Sequence, residues 1–190
     1  MIKDWFYDKL KSDIGEGRYN HSLRVMETSK DLALRYGCSV EKAELAGLLH
    51  DCGKFQGDIN LLKVAADFDI ILDSVMEKNV QLVHSLIGAV LAEREYGIED
   101  KEVLDAIRYH TTGREHMSLL DKIIYIADLI EPGRDFPGVE ELRKLAYEDI
   151  DSCMLEALDH TIEYVIQRKM LIHLDSVKAR NQLLIQKNIE

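Results

Sequence analysis

Residues 46–54 read Ala46-Gly-Leu-Leu-His50-Asp51-Cys-Gly-Lys54 and decide the fold, because an apolar helical pattern ends there on two adjacent metal-binding side chains. Gly53 breaks the pattern, so we expect His50 and Asp51 to lie at the end of that helix. Imidazole and carboxylate together suit iron, manganese, cobalt or zinc better than calcium, which prefers oxygen ligands. Such a doublet is common by itself, so its meaning depends on the rest of the chain.

Further candidate ligands lie on separate predicted helices, and they are His21, His84, His110 and Asp128. Each alone has an ordinary alternative, as a capping or partly buried histidine or as a surface carboxylate. Asp128 weakens that alternative because it lies in an almost wholly apolar helix, where a carboxylate without a partner is costly to desolvate. Six candidate ligands scattered over five helices therefore predict a site for two metal ions that the fold assembles.

Apolar residues recur at three- and four-residue spacing along a chain with 2 prolines in 190 residues. This spacing predicts helices almost throughout, and no stretch shows convincing strand alternation. We predict one all-α domain, residues 1–190, folded as a helical bundle. A capping box at Ser118 opens the helix that holds Asp128. The other predicted helices cover residues 18–36, 40–50, 70–76, 80–96, 101–110, 139–147, 150–171 and 177–186.

Composition narrows the class of protein. The formal net charge of −11 argues against general binding to nucleic acid or to anionic membranes, and no apolar run approaches the length that spans a bilayer. The N-terminus lacks a signal-peptide core, and three cysteines without CxxC spacing indicate reduced thiols. We therefore expect a cytoplasmic protein. Cys52 is expected to be a buried small hydrophobe, with metal ligation as its alternative.

The candidate ligands resemble the H…HD…D pattern of the HD-domain metal-dependent phosphohydrolases, with His84 and His110 matching the extra pair of members that hold two metals. Within that superfamily the chain is most similar to the YqeK-like group, the symmetrical bis(5′-nucleosyl)-tetraphosphatases. The resemblance covers nearly the whole chain. Its stretches are His21-Ser-Leu-Arg24, residues 46–54, His84-Ser-Leu-Ile-Gly88-Ala, Ile107-Arg-Tyr-His110-Thr-Thr-Gly113 and Tyr125-Ile-Ala-Asp128-Leu-Ile-Glu-Pro-Gly-Arg134-Asp-Phe-Pro-Gly138.

The resemblance implies an HD-domain helical bundle with a dinuclear centre. One metal would be held by His21, His50, Asp51 and Asp128, while Asp51 would bridge to a second metal held by His84 and His110. The resemblance implies iron, and manganese, cobalt or zinc would also suit these ligands. Two divalent ions can activate a water molecule and stabilise the charge of a phosphoryl group. Asp51 is thus a candidate catalytic residue as well as a ligand.

The implied reaction is symmetrical hydrolysis of diadenosine tetraphosphate, or a related dinucleoside polyphosphate, to two nucleoside diphosphates by a metal-activated water. Fixed cations are needed where charge accumulates on the leaving diphosphate, and Lys54 and Arg134 are the candidates for that catalytic role. The candidate substrate contacts are Arg24, Thr111, Thr112, Gly113, Arg134 and Asp135. The sequence does not choose the base of the nucleotide or decide whether residues 55–78 form a lid over the substrate.

Two alternatives remain at this stage. One is another HD phosphohydrolase, such as a nucleoside monophosphate 5′-nucleotidase or a guanosine polyphosphate hydrolase, with the same two-metal chemistry. The other is a noncatalytic metal-binding protein that senses nucleotides. All six candidate ligands are present in the sequence, which weakens this second alternative. The sequence is also compatible with a homodimer.

Overall fold

The fold consists of α-helices joined by short connections. A computed structural model describes residues 2–57 and 59–187, and within these ranges it contains no β-strand. The helices are α1 (Asp4–Ile14), α2 (Glu16–Tyr36), α3 (Val40–Leu49), α4 (Leu61–Asp67), α5 (Ser74–Lys78), α6 (Val83–Arg94), α7 (Lys101–Tyr109), α8 (Leu119–Ile130), α9 (Val139–Glu148), α10 (Ile150–Gln167) and α11 (Leu174–Lys187). A 3-10 turn, Val80–Leu82, leads into α6.

Helix α8 lies at the centre of the bundle, where it packs against α2, α3, α7, α9 and α10, and α6 is apolar on nearly every side and packs mainly against α7. Most residues of both are buried, as expected for helices without a polar face. Helix α2 packs mainly against α3 and α8, and α7 packs against α3, α6 and α8. The core therefore lies between α2, α3, α6, α7 and α8. These are the five helices that carry, or end at, the candidate ligands.

Several predicted helix ends are confirmed by their capping geometry. Gly37 adopts a left-handed conformation, φ 70°, directly after α2. The Ser39 side chain accepts the Lys42 N–H at the start of α3. Ser118 and Asp121 form the reciprocal capping box that opens α8. The helices that carry the ligands were therefore predictable to within a few residues.

Helix α1 was missing from the sequence-based prediction. Its apolar residues Phe6, Leu10 and Ile14 recur every four positions and are buried, and Phe6 packs edge-on against Tyr96 with 5.1 Å between the ring centroids. This single apolar stripe of α1 was hard to recognise in the sequence because charged residues surround it. Helix α1 covers one end of the bundle beside α2.

The prediction for the connection 55–78 was wrong in detail. A helix was expected over residues 70–76, but the structure has α4 and α5, and residues 70–72 lie outside both. The reason is capping. Asn60 accepts the Lys63 N–H, and Asp73 accepts the N–H groups of Val75 and Met76, so helices begin immediately after these side chains. Helix α10 ends at Gln167, four residues before the expected end, and Lys169 then has φ 54°.

Among the described residues, no helix is both long enough and apolar enough to cross a lipid bilayer.

Candidate metal centre

The fold brings all six candidate ligands into one cluster. Three overlapping triplets of these side chains have potential ligand atoms within 4.8 Å of one another. Five of the six are less than 10% exposed, and the Asp128 side chain is 21% exposed. They are His21 of α2, His50 and Asp51 at the end of α3, His84 of α6, His110 at the end of α7, and Asp128 in the last turn of α8.

The first half of the cluster consists of His21, His50 and Asp128. The Nε2 atom of His21 lies 3.0 Å from Asp128 Oδ1 and 3.2 Å from His50 Nε2. The Nε2 atom of His50 lies 3.8 Å from the same carboxylate oxygen. Two imidazole nitrogens and one carboxylate oxygen therefore converge on one small volume.

The second half consists of His84 and His110, whose Nε2 atoms are 3.1 Å apart. Asp51 lies between the two halves. Its Oδ1 is 3.1 Å from His84 Nε2 and 3.6 Å from His110 Nε2, while its Oδ2 is 3.5 Å from His50 Nε2. One carboxylate therefore presents a different oxygen to each half of the cluster.

Hydrogen bonds at the other ring nitrogen fix how these imidazoles face the cluster. The Nδ1 atoms of His50 and His110 lie 2.7 Å from the carbonyl oxygens of Gly47 and Ile107, and His84 Nδ1 bonds the Gln81 carbonyl in the same way. A carbonyl only accepts, so Nδ1 carries the proton and a neutral ring presents the Nε2 lone pair to the cluster. Each carbonyl is three residues before its histidine.

The cluster fits a divalent cation for three reasons. Two unprotonated Nε2 atoms about 3 Å apart repel each other unless a positive species lies between them. Asp51 Oδ1 is buried and accepts no hydrogen bond, although Lys54 Nζ is 3.3 Å away as an ion-pair partner. Buried polar atoms seldom lack a partner without a reason such as an ion. The donor set of imidazole and carboxylate is that of first-row metals.

The protonation states also suit metal binding. Burial raises the pKa of Asp51, but the surrounding imidazoles of His50, His110 and His84 outweigh burial and hold that pKa well below its usual value. Burial similarly opposes ionisation of Asp128, and His21, His50 and Arg134 together lower its pKa. Burial, together with the charge of nearby Lys54, lowers the pKa of His84 to about 4. The carboxylates are therefore ionised at neutral pH, and His84 is neutral.

Three cations reach the cluster from its rim. Arg18 Nη1 lies 3.0 Å from Asp51 Oδ2, and Lys54 Nζ approaches the other oxygen of the same carboxylate. The Arg134 guanidinium bonds the Asp128 carboxylate and, through Nε, the Asp128 carbonyl at 2.8 Å. Lys54 and Arg134 were predicted from the sequence, but Arg18 was not. It lies one helical turn before His21 on the same face of α2, so its spacing was an available signal.

A cleft of about 330 Å³ opens beside Asp51. Arg18 and Lys54 line it together with Phe55 and with Gln81, whose carbonyl holds His84. The side chains of Arg18 and Lys54 are 39% and 26% exposed, so both extend from solvent to a buried carboxylate. Phe55, Gly57, Ile59 and Leu61 form one wall of this cleft, so part of the connection 55–78 contributes to the site.

Glu131 is the second residue that sequence reasoning missed. It is 1% exposed, and its Oε1 lies 3.0 Å from His21 Nδ1. Arg24 Nε and the Gly133 N–H both donate to its Oε2 at 2.5 Å. Burial raises the Glu131 pKa, yet the hydrogen bonds from Arg24, Gly133 and His21 bring it to about 2. The available signal was its position three residues after Asp128.

Arg24 was predicted to contact the substrate, but its guanidinium is paired with Glu131 through both Nε and Nη2. Gly133 lies directly against it, because a Cβ at that position would be 2.6 Å from Arg24 Nη2. Arg24 therefore belongs to the surroundings of His21 in this structure. This corrects the expected position of its side chain.

The three predicted substrate contacts after His110, which are Thr111, Thr112 and Gly113, differ in their exposure and in whether their donors are already bonded. The Gly113 N–H already donates to the Tyr109 carbonyl at 2.8 Å, and the Thr112 hydroxyl donates to the Gly113 carbonyl at 2.9 Å. Both residues are buried, so these two donors are not available to phosphate as the sequence analysis expected. Thr111 is partly exposed, and its hydroxyl lies 3.3 Å from that of Ser85, next to His84.

The remaining residues that the sequence analysis singled out near the cluster are Asp135 and Cys52. Asp135 is exposed on the loop that carries Arg134. The Cys52 thiol is buried and donates to the Gly88 carbonyl at 3.3 Å, and burial raises its pKa well above its usual value. A thiol must lose its proton to bind a metal, so Cys52 has the role of a small buried side chain.

Comparison with known proteins agrees with this geometry. The model of the family described as HD domain matches residues 18–133, a range that includes all six candidate ligands. The chain is 42% identical to "Bis(5'-nucleosyl)-tetraphosphatase, symmetrical" from Halalkalibacterium halodurans, over 93% of this chain and 94% of that protein. It is 38% identical to the Bacillus subtilis protein of the same name, over 92% and 94% of the two chains.

A solved structure is similar over nearly its entire length. It is described as a predicted HD superfamily hydrolase involved in NAD metabolism from Clostridium acetobutylicum. The two chains are 45% identical, the match covers 98% of each, and the TM-score is 0.93. The arrangement of helices described above is therefore also found in an experimental structure.

Proposed function

This chain belongs to the HD domain family, and we propose that it is a symmetrical bis(5′-nucleosyl)-tetraphosphatase that cleaves diadenosine tetraphosphate into two molecules of ADP. The observation that carries the proposal is the complete set of six ligands, at contact distance, in a chain whose named relatives match it over more than nine tenths of its length. HD-type metal-dependent hydrolysis is the chemistry that this ligand set suits.

We propose that the cluster holds two divalent ions, and that the native ion is iron. His21, His50, Asp51 and Asp128 would bind one ion, and Asp51, His84 and His110 the other. When bound, such ions lower the pKa of a water molecule and stabilise negative charge on phosphoryl oxygens. Asp51 supports the assignment because its two oxygens face the two halves of the cluster.

The protein's own residues orient the substrate in this proposal. Arg18 and Lys54 bind phosphate oxygens of one ADP half in the cleft beside Asp51, and Arg134 binds phosphate on the Asp128 side. Cations on both sides of the cluster suit a substrate with two equivalent halves, because cleavage at its centre leaves a diphosphate on each side. Thr111 and Asp135 are retained as candidate contacts on the rim.

The reaction balances with water as the only co-substrate. The water oxygen forms a bond to one of the two central phosphorus atoms, the bond from that atom to the bridging oxygen breaks, and the protons of the water pass to solvent. The bridging oxygen leaves with the other ADP half, and Lys54 and Arg134 stabilise the charge that develops on it. No covalent intermediate with the protein is needed.

Product analysis tests this proposal directly. Protein loaded with iron under anaerobic conditions is incubated with diadenosine tetraphosphate, and nucleotides are separated by ion-exchange chromatography. We expect two ADP for each substrate molecule. AMP plus ATP would mean asymmetric cleavage and would contradict the proposal, as would a loaded protein that leaves the substrate intact.

The cleft assignment has its own test. Arg18→Gln should raise KM for diadenosine tetraphosphate, because it removes a cation that binds phosphate in the cleft beside Asp51. Arg35→Gln, which makes the same charge change on an exposed residue of α2, is the matched control. Equal kinetics for the two variants would refute the role of Arg18.

A further inference from the structure

We propose that Glu131 and Arg24 are positioning residues for the metal centre. Glu131 holds the His21 ring in one tautomer and joins it to the loop that carries Arg134. Arg24 serves Glu131 rather than the substrate. The inference rests on the proposed function insofar as His21 binds a metal ion, and it names two residues that act through a ligand.

The first step concerns the proton on His21. A carboxylate can only accept a hydrogen bond, so Glu131 Oε1, 3.0 Å from His21 Nδ1, keeps the proton on that nitrogen. The lone pair of the neutral ring is then on Nε2, which faces Asp128 and His50. Carboxylates that hold a metal-binding histidine in this way also increase its basicity.

The second step concerns Glu131 itself, which is buried at 1% exposure and forms an ion pair with the Arg24 guanidinium. A buried carboxylate needs several donors to offset desolvation. Arg24 Nε and the Gly133 N–H both donate to Oε2, and Arg24 Nη2 donates to Oε1 at 3.3 Å, the oxygen that also contacts His21 Nδ1. Arg24 thus fixes the position of the carboxylate that positions His21.

The third step connects the same carboxylate to the rim of the site. Glu131 accepts a hydrogen bond from the Gly133 N–H, and Gly133 directly precedes Arg134 in the loop after α8. The Arg134 guanidinium in turn bonds the Asp128 carboxylate. Arg143 closes this loop from the other side by donating to the carbonyls of Glu131 and Arg134. A metal ligand and a substrate-facing cation are therefore fixed by one side chain, Glu131.

Glu131→Gln distinguishes this role from simple packing because it keeps the size of the side chain. An amide has one acceptor oxygen, so its NH2 group must face either the donors Arg24 and Gly133 or His21 Nδ1. In the second case His21 Nδ1 becomes the acceptor, and its proton moves to Nε2, the atom required for metal binding. Either arrangement should weaken the centre.

The experiment is titration of Co²⁺ into metal-free protein, followed by calorimetry and by the visible absorption of the bound ion. We expect Glu131→Gln to weaken binding at one site by about 10- to 100-fold and to change the visible spectrum of that site. Binding at the site of His84 and His110 should be unchanged, which makes it an internal control. Glu163→Gln, an exposed substitution on α10, should match the parent protein.

Arg24→Gln separates the positioning role from the substrate contact that its sequence motif predicts. A positioning residue gives weaker Co²⁺ binding with little change in KM at saturating metal. A substrate contact gives a higher KM with unchanged Co²⁺ binding, and that result would overturn the inference. Unchanged Co²⁺ binding in Glu131→Gln would overturn it as well.

Gly133→Ala provides a second route if Glu131→Gln does not fold, as judged by circular dichroism of the metal-free protein. Its Cβ would lie 2.6 Å from Arg24 Nη2 and 2.8 Å from Nε, so the guanidinium must move away from Glu131. We expect a smaller loss of Co²⁺ affinity at the same site, and equal affinity would contradict the inference. A parent protein that binds no Co²⁺ at all would instead contradict the proposed function.

Discussion

The two halves of the metal cluster are oriented by different means. His84 and His110 each bond a carbonyl three residues earlier in their own chain segment. His21 bonds the Glu131 carboxylate, 110 residues away in the sequence. In the first half, His50 also bonds a carbonyl three residues earlier, that of Gly47. The second half is therefore oriented locally throughout, whereas in the first half the orientation of His21 depends on a contact between α2 and the end of α8.

This difference indicates where each half is vulnerable. His84 and His110 keep their ring orientation as long as α6 and α7 form and stay packed. Only substitution of these histidines, or a change in how their helices pack, can disturb that orientation. Orientation by Glu131 can be lost through single polar substitutions that leave every helix intact. The following changes test that contrast, beginning with the largest expected effect.

Asp51→Ala should abolish turnover and remove metal from both halves, because the carboxylate is the only one of the six ligands that approaches all four histidines of the cluster. Metal content by mass spectrometry and hydrolysis of diadenosine tetraphosphate are the two measurements. Asp67→Ala, an exposed change at the end of α4, is the control. Full metal content with full activity in Asp51→Ala would refute the shared role of Asp51.

His84→Ala should remove the ion of the second half alone. Its ring contributes Nε2 to that half only, so Co²⁺ titration should show one remaining site with the affinity of the first half. The companion variant His21→Ala should show the reverse pattern. If either variant loses both ions, the halves are not separate and the comparison fails.

Gly53→Ala should disturb the second half without touching a ligand. A Cβ there would lie 2.2 Å from the His84 carbonyl oxygen and 2.7 Å from the Gly88 N, both backbone atoms of α6, so α3 and α6 must separate. We expect a loss of about 1 to 3 kcal/mol in the free energy of unfolding, typical of overpacking, together with weaker Co²⁺ binding at the His84 site.

The matched control for that variant is Gly17→Ala. Nothing lies within 4 Å of a Cβ at Gly17, and the residue is exposed within α2. Alanine at position 17 should stabilise the protein by about 0.5 to 1 kcal/mol, because glycine is unfavourable inside a helix. Urea unfolding of both variants measures the contrast, and equal stability changes would contradict the close approach at Gly53.

Ser118→Ala should have the smallest effect on the site. It removes the side chain that accepts the Asp121 N–H at the start of α8, whereas Asp128 lies at the other end of that helix. A loss of about 0.5 to 2 kcal/mol of stability is expected, with unchanged Co²⁺ binding. A lower metal affinity would show that the first half also depends on the start of α8.

The helices and the ligands were predictable to different degrees. Ser39, Gly37 and Ser118 mark helix ends through interactions with nearby backbone, so their effect can be recognised in a short stretch of sequence. The connection 55–78 could not be predicted as well, because its helices are short and depend on the capping side chains of Asn60 and Asp73. Helix α1 was missed because a single apolar stripe is a weak signal.

The substrate-facing residues were the least predictable from the sequence. Arg24 and Arg134 both lie in motifs of the resembling family, but the first pairs with Glu131 and the second with Asp128. Spacing identifies residues that share a helical face. It does not say which acidic side chain each cation pairs with in the folded chain. Arg18 and Glu131 were overlooked for the same reason.

The sequence by itself determined the helical class, most helix ends and the choice of six candidate ligands, because these depend on local spacing, capping and side-chain chemistry. Only the tertiary structure decided that Asp51 lies between two pairs of imidazoles, that Arg18 reaches its carboxylate and that Glu131 holds His21. The physical reason is that these contacts join residues on different helices. Their distances follow from how α2, α3, α6, α7 and α8 pack, which no local pattern encodes.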